Sequence, residues 1–288
     1  MKKTLQRQGV LLALALVQGA MACGPREPSG NKGDQQPTTG EAARTAKPGG
    51  ITEMSEGPEP RRVDTVDLGR GVKMEFVWVP GGSFEMGSNE YDSEKPVHTV
   101  QLDGFWMGKY EVTQEQYEAV TGGNPSNFKG AKNPVERVSW NDAVAFCQKA
   151  GKGIRLPTEA EWEYACRAGS RTRFFFGDSD SGLGEYAWYR GNSGSQTHPV
   201  GQKKPNAWGL YDMHGNVCEW CGDWYGNYSS GSASNPQGAS SGDIRVLRGG
   251  SWDSGPRICR SGIRGRHFPA DTGGHDGFRV VCGGVSSR

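Results

Sequence analysis

The amino-acid sequence predicts an α+β domain with little regular secondary structure. The predicted helices lie early in the folded region, after three strand-like stretches, and further short strand-like pieces lie late in it, without the strand–helix–strand alternation that marks a parallel sheet. Glycine is abundant, with 45 residues among 288, and only 34% of the residues are hydrophobic. This composition is typical of a domain with long loops. We expect the domain to occupy residues 63–288.

Short hydrophobic stretches bounded by turn residues predict the strands. They lie at 74–80, 98–102 and 105–112 before the helices, and at 216–225, 245–252 and 277–282 after them. The turn Gly81–Gly82 closes the first stretch. No repeat of about 20–50 residues is evident, so a solenoid or propeller is not indicated.

Three helices are predicted from their first residues. Thr113 and Gln116 form a capping box, and Thr158 and Glu161 form another. Ser139 precedes a further helix, whose apolar residues recur at the i, i+3, i+4, i+7 spacing of a face packed against a core.

Residues 1–22 have the organisation of an export signal. Basic residues precede the apolar stretch 10–17, which is too short to span a bilayer, and Ala20 and Ala22 stand just before Cys23. One interpretation is an ordinary signal peptide. We favour a lipoprotein signal, in which Cys23 becomes the lipidated N-terminus.

The segment 23–62 is predicted to be a disordered linker behind the lipid anchor. It has no aromatic residue, and Ile51 is an isolated large aliphatic residue. Pro, Gly, Ser, Thr and charged residues are frequent. Such a stretch cannot bury enough apolar surface to offset the entropy of ordering it. We therefore expect an exported lipoprotein of the cell envelope, in the periplasm or on the cell surface, that touches the membrane only through its lipid.

The charges are balanced, with 33 basic and 32 acidic residues. A net charge of +1 gives no broad basic surface for the phosphate backbone, so nucleic acid is not an expected partner.

Cysteine usage fits export. Six cysteines follow Cys23, an even number that favours disulfides in an oxidising compartment. Six cysteines allow 15 pairings, which spacing cannot distinguish.

Four strings in a fixed order identify a family resemblance. They are VPGGSFEMG at 79–87, RLPTEAEWEY at 155–164, GNVCEW at 215–220, and RGGSW at 248–252 with GFR at 277–279. Together they resemble the formylglycine-generating, or sulfatase-modifying factor, family. The resemblance implies a variant of the C-type-lectin-like fold. It leaves the activity open, because some members oxidise a sulfatase cysteine to formylglycine with oxygen and copper, and others catalyse different oxygen-dependent sulfur chemistry or are binding scaffolds.

The residues at the implied copper site differ from the enzymes. The two copper cysteines correspond to Ser254 and Cys259, a histidine corresponds to Gly255, and a tryptophan corresponds to Cys218, whereas Ser251 is retained. Copper(I) prefers thiolates to a hydroxyl. Catalytic candidates are therefore limited to Cys259, Ser251 and Cys218.

Several arrangements of Cys218 remain open. A rearranged copper site would bring Cys218 to face Cys259, and a Cys218–Cys259 disulfide or a local Cys218–Cys221 bridge is the alternative. The resemblance further implies a structural disulfide between Cys147 and Cys282, whereas the family partner of Cys166 falls at Arg264.

A calcium site is also implied by the resemblance. The corresponding positions are Asp212, Gly215, Val217 and Glu219, two side chains and two carbonyls on a short loop, and hard oxygen ligands suit Ca²⁺. The alternative is that Asp212 caps a turn and Glu219 pairs with an arginine.

The segment 253–276 has an unusual composition. It contains no Lys, Glu, Gln, Met or Trp, the five residue types that lack a codon ending in C or T. It resembles the variable segments that diversity-generating retroelements produce by mutating adenines in asparagine codons; an ordinary Gly-rich loop is the alternative. The candidate ligand-binding residues are Trp252, Asp253, Ser254, Gly255, Ile258, Ile263, His267, Phe268 and His275.

We expect the segment 253–276 to determine the function of the protein. We favour an extracytoplasmic lipoprotein scaffold that binds a protein or small ligand through 253–276. A copper- and oxygen-dependent oxidase acting on a sulfatase is the first alternative, and a structural envelope lipoprotein is the second.

The lipid anchor is directly testable. Replacing Cys23 with Ser removes the acceptor for the lipid, so the protein should move from the membrane fraction to the soluble fraction on centrifugation. Wild-type protein that is soluble and begins at an unmodified Cys23 would contradict the anchor.

Overall fold

The computed structural model describes residues 62–283. The predicted signal peptide, Cys23 and almost all of the linker therefore lie outside the described residues. Within 62–283, none of the helices has the length and hydrophobicity needed to cross a membrane.

The largest sheet joins the two ends of the domain. Its five strands are ordered β1 (Val63–Asp67), β2 (Lys73–Val79), β5 (Phe105–Gly108), β12 (Val281–Cys282) and β6 (Ile154–Arg155). The last strand, β12, pairs antiparallel with both β5 and β6. Backbone hydrogen bonds thus hold the C-terminal end of the domain inside a sheet that begins at its N-terminal end.

Two smaller sheets complete the strands. One has the order β10 (Gly265–His267), β9 (Arg245–Arg248), β7 (Cys218–Trp224) and β11 (Asp276–Gly277), and the other contains β3 (Gly82–Met86), β4 (His98–Leu102) and β8 (Ala233–Ser234). In the four-stranded sheet β11 runs parallel to β7, with Asp276 opposite Cys218.

The three predicted helices begin where the sequence predicts, and a fourth, single-turn helix was not predicted. They are α1 (Gln114–Thr121), α2 (Trp140–Ala150), α3 (Glu159–Arg167) and the single turn α4 (Leu183–Tyr186). Both predicted capping boxes are confirmed, because Thr113 and Thr158 each accept from the backbone of the third helical residue, whose side chain bonds back. Ser139 caps α2 in the same way with Asp142.

Several strand predictions differ from the structure. The stretch 277–282, for example, is divided between β11 and β12, which belong to different sheets. The stretch 105–112 leaves the sheet after Gly108, because the Val112 amide donates to Phe278 and its carbonyl accepts from Val135. The strand β3 was not predicted, since its first residue, Gly82, had been assigned to a turn. It forms by pairing with β4, from Gly82 opposite Leu102 to Met86 opposite His98.

The strand β7 separates two hydrophobic clusters. Cys218 and Trp220 belong to the first cluster, with Phe146 and Phe278, whereas Cys221 belongs to the second. Residues three apart on a strand point to opposite faces. A local Cys218–Cys221 bridge is therefore excluded by the geometry of the strand.

Buried arginine–glutamate pairs hold the loops together. Arg260 donates to both oxygens of Glu94, at 2.6 and 3.1 Å, and both side chains are at most 1% exposed. Similar pairs join Arg264 to Glu159 and Arg248 to Glu163. Two-pronged charged hydrogen bonds fix loop geometry where few backbone bonds do so.

The Arg260–Glu94 pair predicts a large stability effect. Replacing Arg260 with Met leaves the Glu94 carboxylate buried without its cation, so the free energy of unfolding should fall by about 3–5 kcal/mol. The double variant with Glu94→Gln should recover part of this loss, because it removes the uncompensated charge. Urea unfolding of the three proteins measures both effects, and a loss below 1 kcal/mol in Arg260→Met would contradict the role of the pair.

Candidate functional site

The loop before β7 is wound by residues with left-handed backbone geometry. Asp212, Gly215 and Asn216 have φ angles of 54°, 80° and 56°. A Cβ atom at Gly215 would stand 2.2 Å from the Trp188 carbonyl oxygen, so no larger residue fits there. This winding brings the side chain of Asp212 towards the start of β7.

Glu219 of β7 forms the central ion pair of the domain. Its carboxylate accepts from Arg279 Nε at 2.6 Å and Nη2 at 2.7 Å, and from Trp162 Nε1 at 2.7 Å. Glu219 and Arg279 are fully buried. Pairing of Glu219 with an arginine, one of the two interpretations of the sequence, is thus what the structure has.

Asp212 has one oxygen satisfied and one unsatisfied. Its Oδ2 accepts from the Gly201 amide at 2.7 Å, but Oδ1 is buried with no hydrogen-bond partner among the described residues. Burial raises the pKa of Asp212 to about 6, and the charge of Glu219 adds to the rise. A carboxylate so placed requires a cation or a proton.

Glu111 is a third buried acid that the sequence did not single out. Its Oε2 accepts from Asn216 Nδ2 at 2.7 Å and its Oε1 from the Val217 amide at 3.1 Å. Burial, followed by the charges of Asp212 and Glu219, raises its pKa well above the ordinary value. Glu111 lies in the irregular segment between β5 and α1, where no spacing rule marks it.

These three acids give the loop an excess of negative charge. Glu111, Asp212 and Glu219 are each at most 2% exposed, and Arg279 is the buried cation beside them. Lys203, half-buried, adds a weaker positive contribution at Asp212. The unsatisfied Asp212 oxygen and the surplus of carboxylates fit a hard cation such as Ca²⁺.

The position of the first copper cysteine is occupied by a hydroxyl that serves the turn. Ser254 Oγ accepts from the Ser251 amide at 3.0 Å and lies 3.0 Å from Ser251 Oγ. Ser251 Oγ in turn donates to Asp253 Oδ1 at 2.6 Å. Both serines are buried. Ser251 and Ser254 therefore stabilise the turn after RGGSW and offer no soft metal ligand.

The remaining thiol candidates are not brought together. Cys259 is fully buried in a third cluster, with Phe174, Leu183 and Ala187 around it, whereas Cys218 belongs to the first cluster. The rearranged pair of Cys218 and Cys259 is thus not assembled as a copper site. Copper does not fit the residues present, because thiolate chemistry requires accessible, deprotonated sulfur.

The predicted Cys147–Cys282 disulfide is not formed. Cys147 is a thiol, and burial raises its pKa to about 12. Both residues lie in the first hydrophobic cluster, where their side chains pack as small apolar groups. Cys166 is likewise a buried thiol with its pKa raised to about 12 by burial.

The segment 253–276 divides into a buried and an exposed part. Ser254 and Ile263, two of the predicted ligand-binding residues, are only 4% and 2% exposed and point inwards. Trp252, Asp253, Gly255 and Ile258 are half-buried. Phe268, in contrast, is 58% exposed, unusual for a large hydrophobic residue of this domain.

Two predicted residues meet an acid that the sequence did not identify. His267 Nδ1 lies 3.0 Å from Asp276 Oδ2, and His275 Nε2 lies 3.6 Å from Asp276 Oδ1. The hydrogen bond with Asp276 raises the pKa of His267. Asp276 was missed because it stands at the end of the segment, where only the pairing of β11 with β7 turns it inwards.

Comparisons with known proteins agree with this architecture. The chain is 33% identical to chaperone protein LppX of Paenibacillus barcinonensis, over 73% of this chain and 90% of that protein. It is 30% identical to the formylglycine-generating enzyme of Mus musculus, over 93% and 87%. Treponema denticola variable protein 1 superposes with a TM-score of 0.74 at 35% identity, over 76% of this chain and 98% of that one.

The family model for the sulfatase-modifying factor enzyme 1-like domain matches residues 67–283, which span all the strands and helices described above except the start of β1. The resemblance of the four strings and the predicted C-type-lectin-like fold are thereby confirmed. The chain belongs to the sulfatase-modifying factor family.

Proposed function

We propose that this protein is a binding scaffold of the sulfatase-modifying factor family and does not generate formylglycine. The observation that best supports this proposal is the environment of Ser254 and Cys259, which stand at the positions of the two copper cysteines. Ser254 is bound into a turn, and Cys259 is enclosed by apolar side chains. An oxidase needs a reactive sulfur that oxygen and a substrate cysteine can reach.

The binding surface is the exposed part of 253–276. Trp252 is fixed behind it, since its Nε1 donates to the Gly274 carbonyl at 3.0 Å and its ring meets Phe128 edge-on. Phe268, the exposed aromatic residue of the segment, follows directly after β10. An exposed aromatic residue on a fixed frame is a suitable anchor for a protein partner.

Two similarities support a binding role. One structural neighbour is described as a variable protein and one relative as a chaperone, and both names suggest recognition of other molecules. Diversification of the exposed positions by a retroelement is consistent with the first name. It also agrees with the composition of the segment.

The site of action is proposed to be the cell envelope. The basis is the N-terminal sequence, with its export signal and Cys23. The linker 23–62 would let the domain stand off the membrane while the lipid anchors it.

Calcium is the proposed structural ion. Asp212, with Glu219 and the carbonyl oxygens of Gly215 and Val217, would hold it, and Glu111 stands close enough to contribute charge. The ion would compensate the buried carboxylates. It would therefore stabilise the loop that precedes β7.

Calcium should stabilise the wild-type protein measurably. Added Ca²⁺ should raise its melting temperature, because a ligand that binds only the native state stabilises it by mass action. In Asp212→Ala this gain should disappear, and the melting temperature in calcium buffer should be lower than that of the wild type. Identical melting of the wild type in calcium and in chelator would exclude the site.

One assay distinguishes the proposed binding role from the alternative oxidase activity. The purified protein, given copper and oxygen, should not convert the cysteine of a sulfatase-type C-x-P-x-R peptide to the aldehyde, because the ligand set lacks a second thiolate. Mass spectrometry of the peptide measures the product, with an authentic formylglycine-generating enzyme as the positive control. Turnover that is lost in Cys259→Ser would overturn the proposal.

The binding role has its own test. A photo-crosslinking residue placed at 268 should give a discrete covalent adduct in intact cells, whereas the same residue at Glu118, exposed on α1, should not. Adducts that are equal at both positions, or absent at 268, would contradict a binding surface at this segment.

A further inference from the structure

A second group of metal-ligand side chains lies where the segment 253–276 ends. The strand β10 ends at His267, and β11 begins at Asp276, directly after His275. One ligand atom from each of these residues lies within 4.8 Å of the other two. We propose that His267, His275 and Asp276 bind a divalent transition-metal ion of the zinc class. This inference does not depend on the proposed binding function.

Asp276 is oriented so that one oxygen is left for a ligand. Its Oδ2 accepts from the Gly273 amide at 3.1 Å and lies 3.0 Å from His267 Nδ1. Its Oδ1 has no hydrogen-bond partner among residues 62–283, and the side chain is fully enclosed. Such an oxygen is costly unless a cation compensates it.

A ring nitrogen of His275 close to this oxygen is also unsatisfied. His275 Nε2 lies 3.6 Å from Asp276 Oδ1, and it too is buried with no hydrogen-bond partner in the described part of the chain. The distance is too long for a hydrogen bond. Two ligands at about 2.0–2.1 Å from one tetrahedral zinc ion stand roughly 3.3–3.5 Å apart. The gap between the two atoms therefore has the size that an ion between them requires.

A carboxylate lies near Nδ1, the other ring nitrogen of His275. Asp253 Oδ2 lies 3.9 Å from His275 Nδ1, and the other oxygen of Asp253 is held by Ser251 Oγ at 2.6 Å. Histidines that bind a metal through one nitrogen usually direct the other at a carboxylate or carbonyl, which fixes the ring and its tautomer.

The kinds of ligand select the kind of ion. Two imidazoles and one carboxylate suit zinc and its neighbours, whereas calcium takes oxygen ligands. The histidine side chains are 17% and 14% exposed, so an ion can enter from solvent. Three protein ligands leave a fourth position for water or for a side chain of a bound partner.

Zinc titration of the full-length protein tests the site. Calorimetry with Zn²⁺, in the presence of saturating Ca²⁺, should give one equivalent bound per chain in the wild type. His267→Ala and His275→Ala should each weaken the affinity at least tenfold, because each removes one ligand. His98→Gln is the matched control, since His98 lies on β4 against Tyr228 and should leave the affinity unchanged.

Cobalt gives an independent readout of the ligand set. Co²⁺ added to the wild type should produce the visible absorption of a four-coordinate ion, and both histidine variants should lose it. The two histidines are partly exposed, so circular dichroism of these variants should match that of the wild type. Absence of saturable Zn²⁺ binding, or binding that is unchanged in His275→Ala and thus arises elsewhere, overturns the site.

Discussion

The buried ion pair between Arg279 and Glu219 organises the centre of the domain. Arg279 donates to both carboxylate oxygens and also to the carbonyls of Gly108 and Tyr211, while Trp162 donates to Glu219. The pair thus joins the C-terminal segment to β5, α3, β7 and the loop before β7. A fully buried ion pair is stable only when the remaining donors and acceptors are satisfied, and these contacts satisfy most of them.

This arrangement has an electrostatic consequence. Arg279 compensates Glu219, but Glu111 and Asp212 are buried close by, and the pKa of each carboxyl is raised. The same loop that the ion pair fixes in place therefore accumulates negative charge. The calcium ion proposed above would compensate this charge, because hard oxygen ligands suit it.

The segment 253–276 combines fixed and exposed parts. Arg260 anchors its middle to Glu94, and Ser254 and Ile263 point inwards. Phe268 and the two histidines lie at its outer end, on a turn that connects two short strands. The exposed residues can therefore change without loss of the fold, because the Arg260–Glu94 ion pair and the turn formed by Ser251 and Ser254 hold the segment in place.

The sequence by itself determined the helix starts, the family and the fold class. Local hydrogen bonds decide a capping box, so Thr113 and Thr158 were identified without tertiary information. The strand β3 and the end of β5 depended on pairing partners far along the chain, which local patterns do not specify. The loop that we propose to bind calcium was visible in the string GNVCEW, but Glu111 was not, because it approaches the loop only in three dimensions.

Tertiary structure alone decided which candidate residues can act together. Cys218 and Cys259 looked like a possible thiolate pair, yet they lie in separate hydrophobic clusters. His267 and His275 were predicted as ligand-binding residues of one segment, but only the fold shows that both lie next to Asp276. Side-chain chemistry is fixed by the sequence, whereas the distances between side chains, and the burial that sets their charges, arise only when the segments pack.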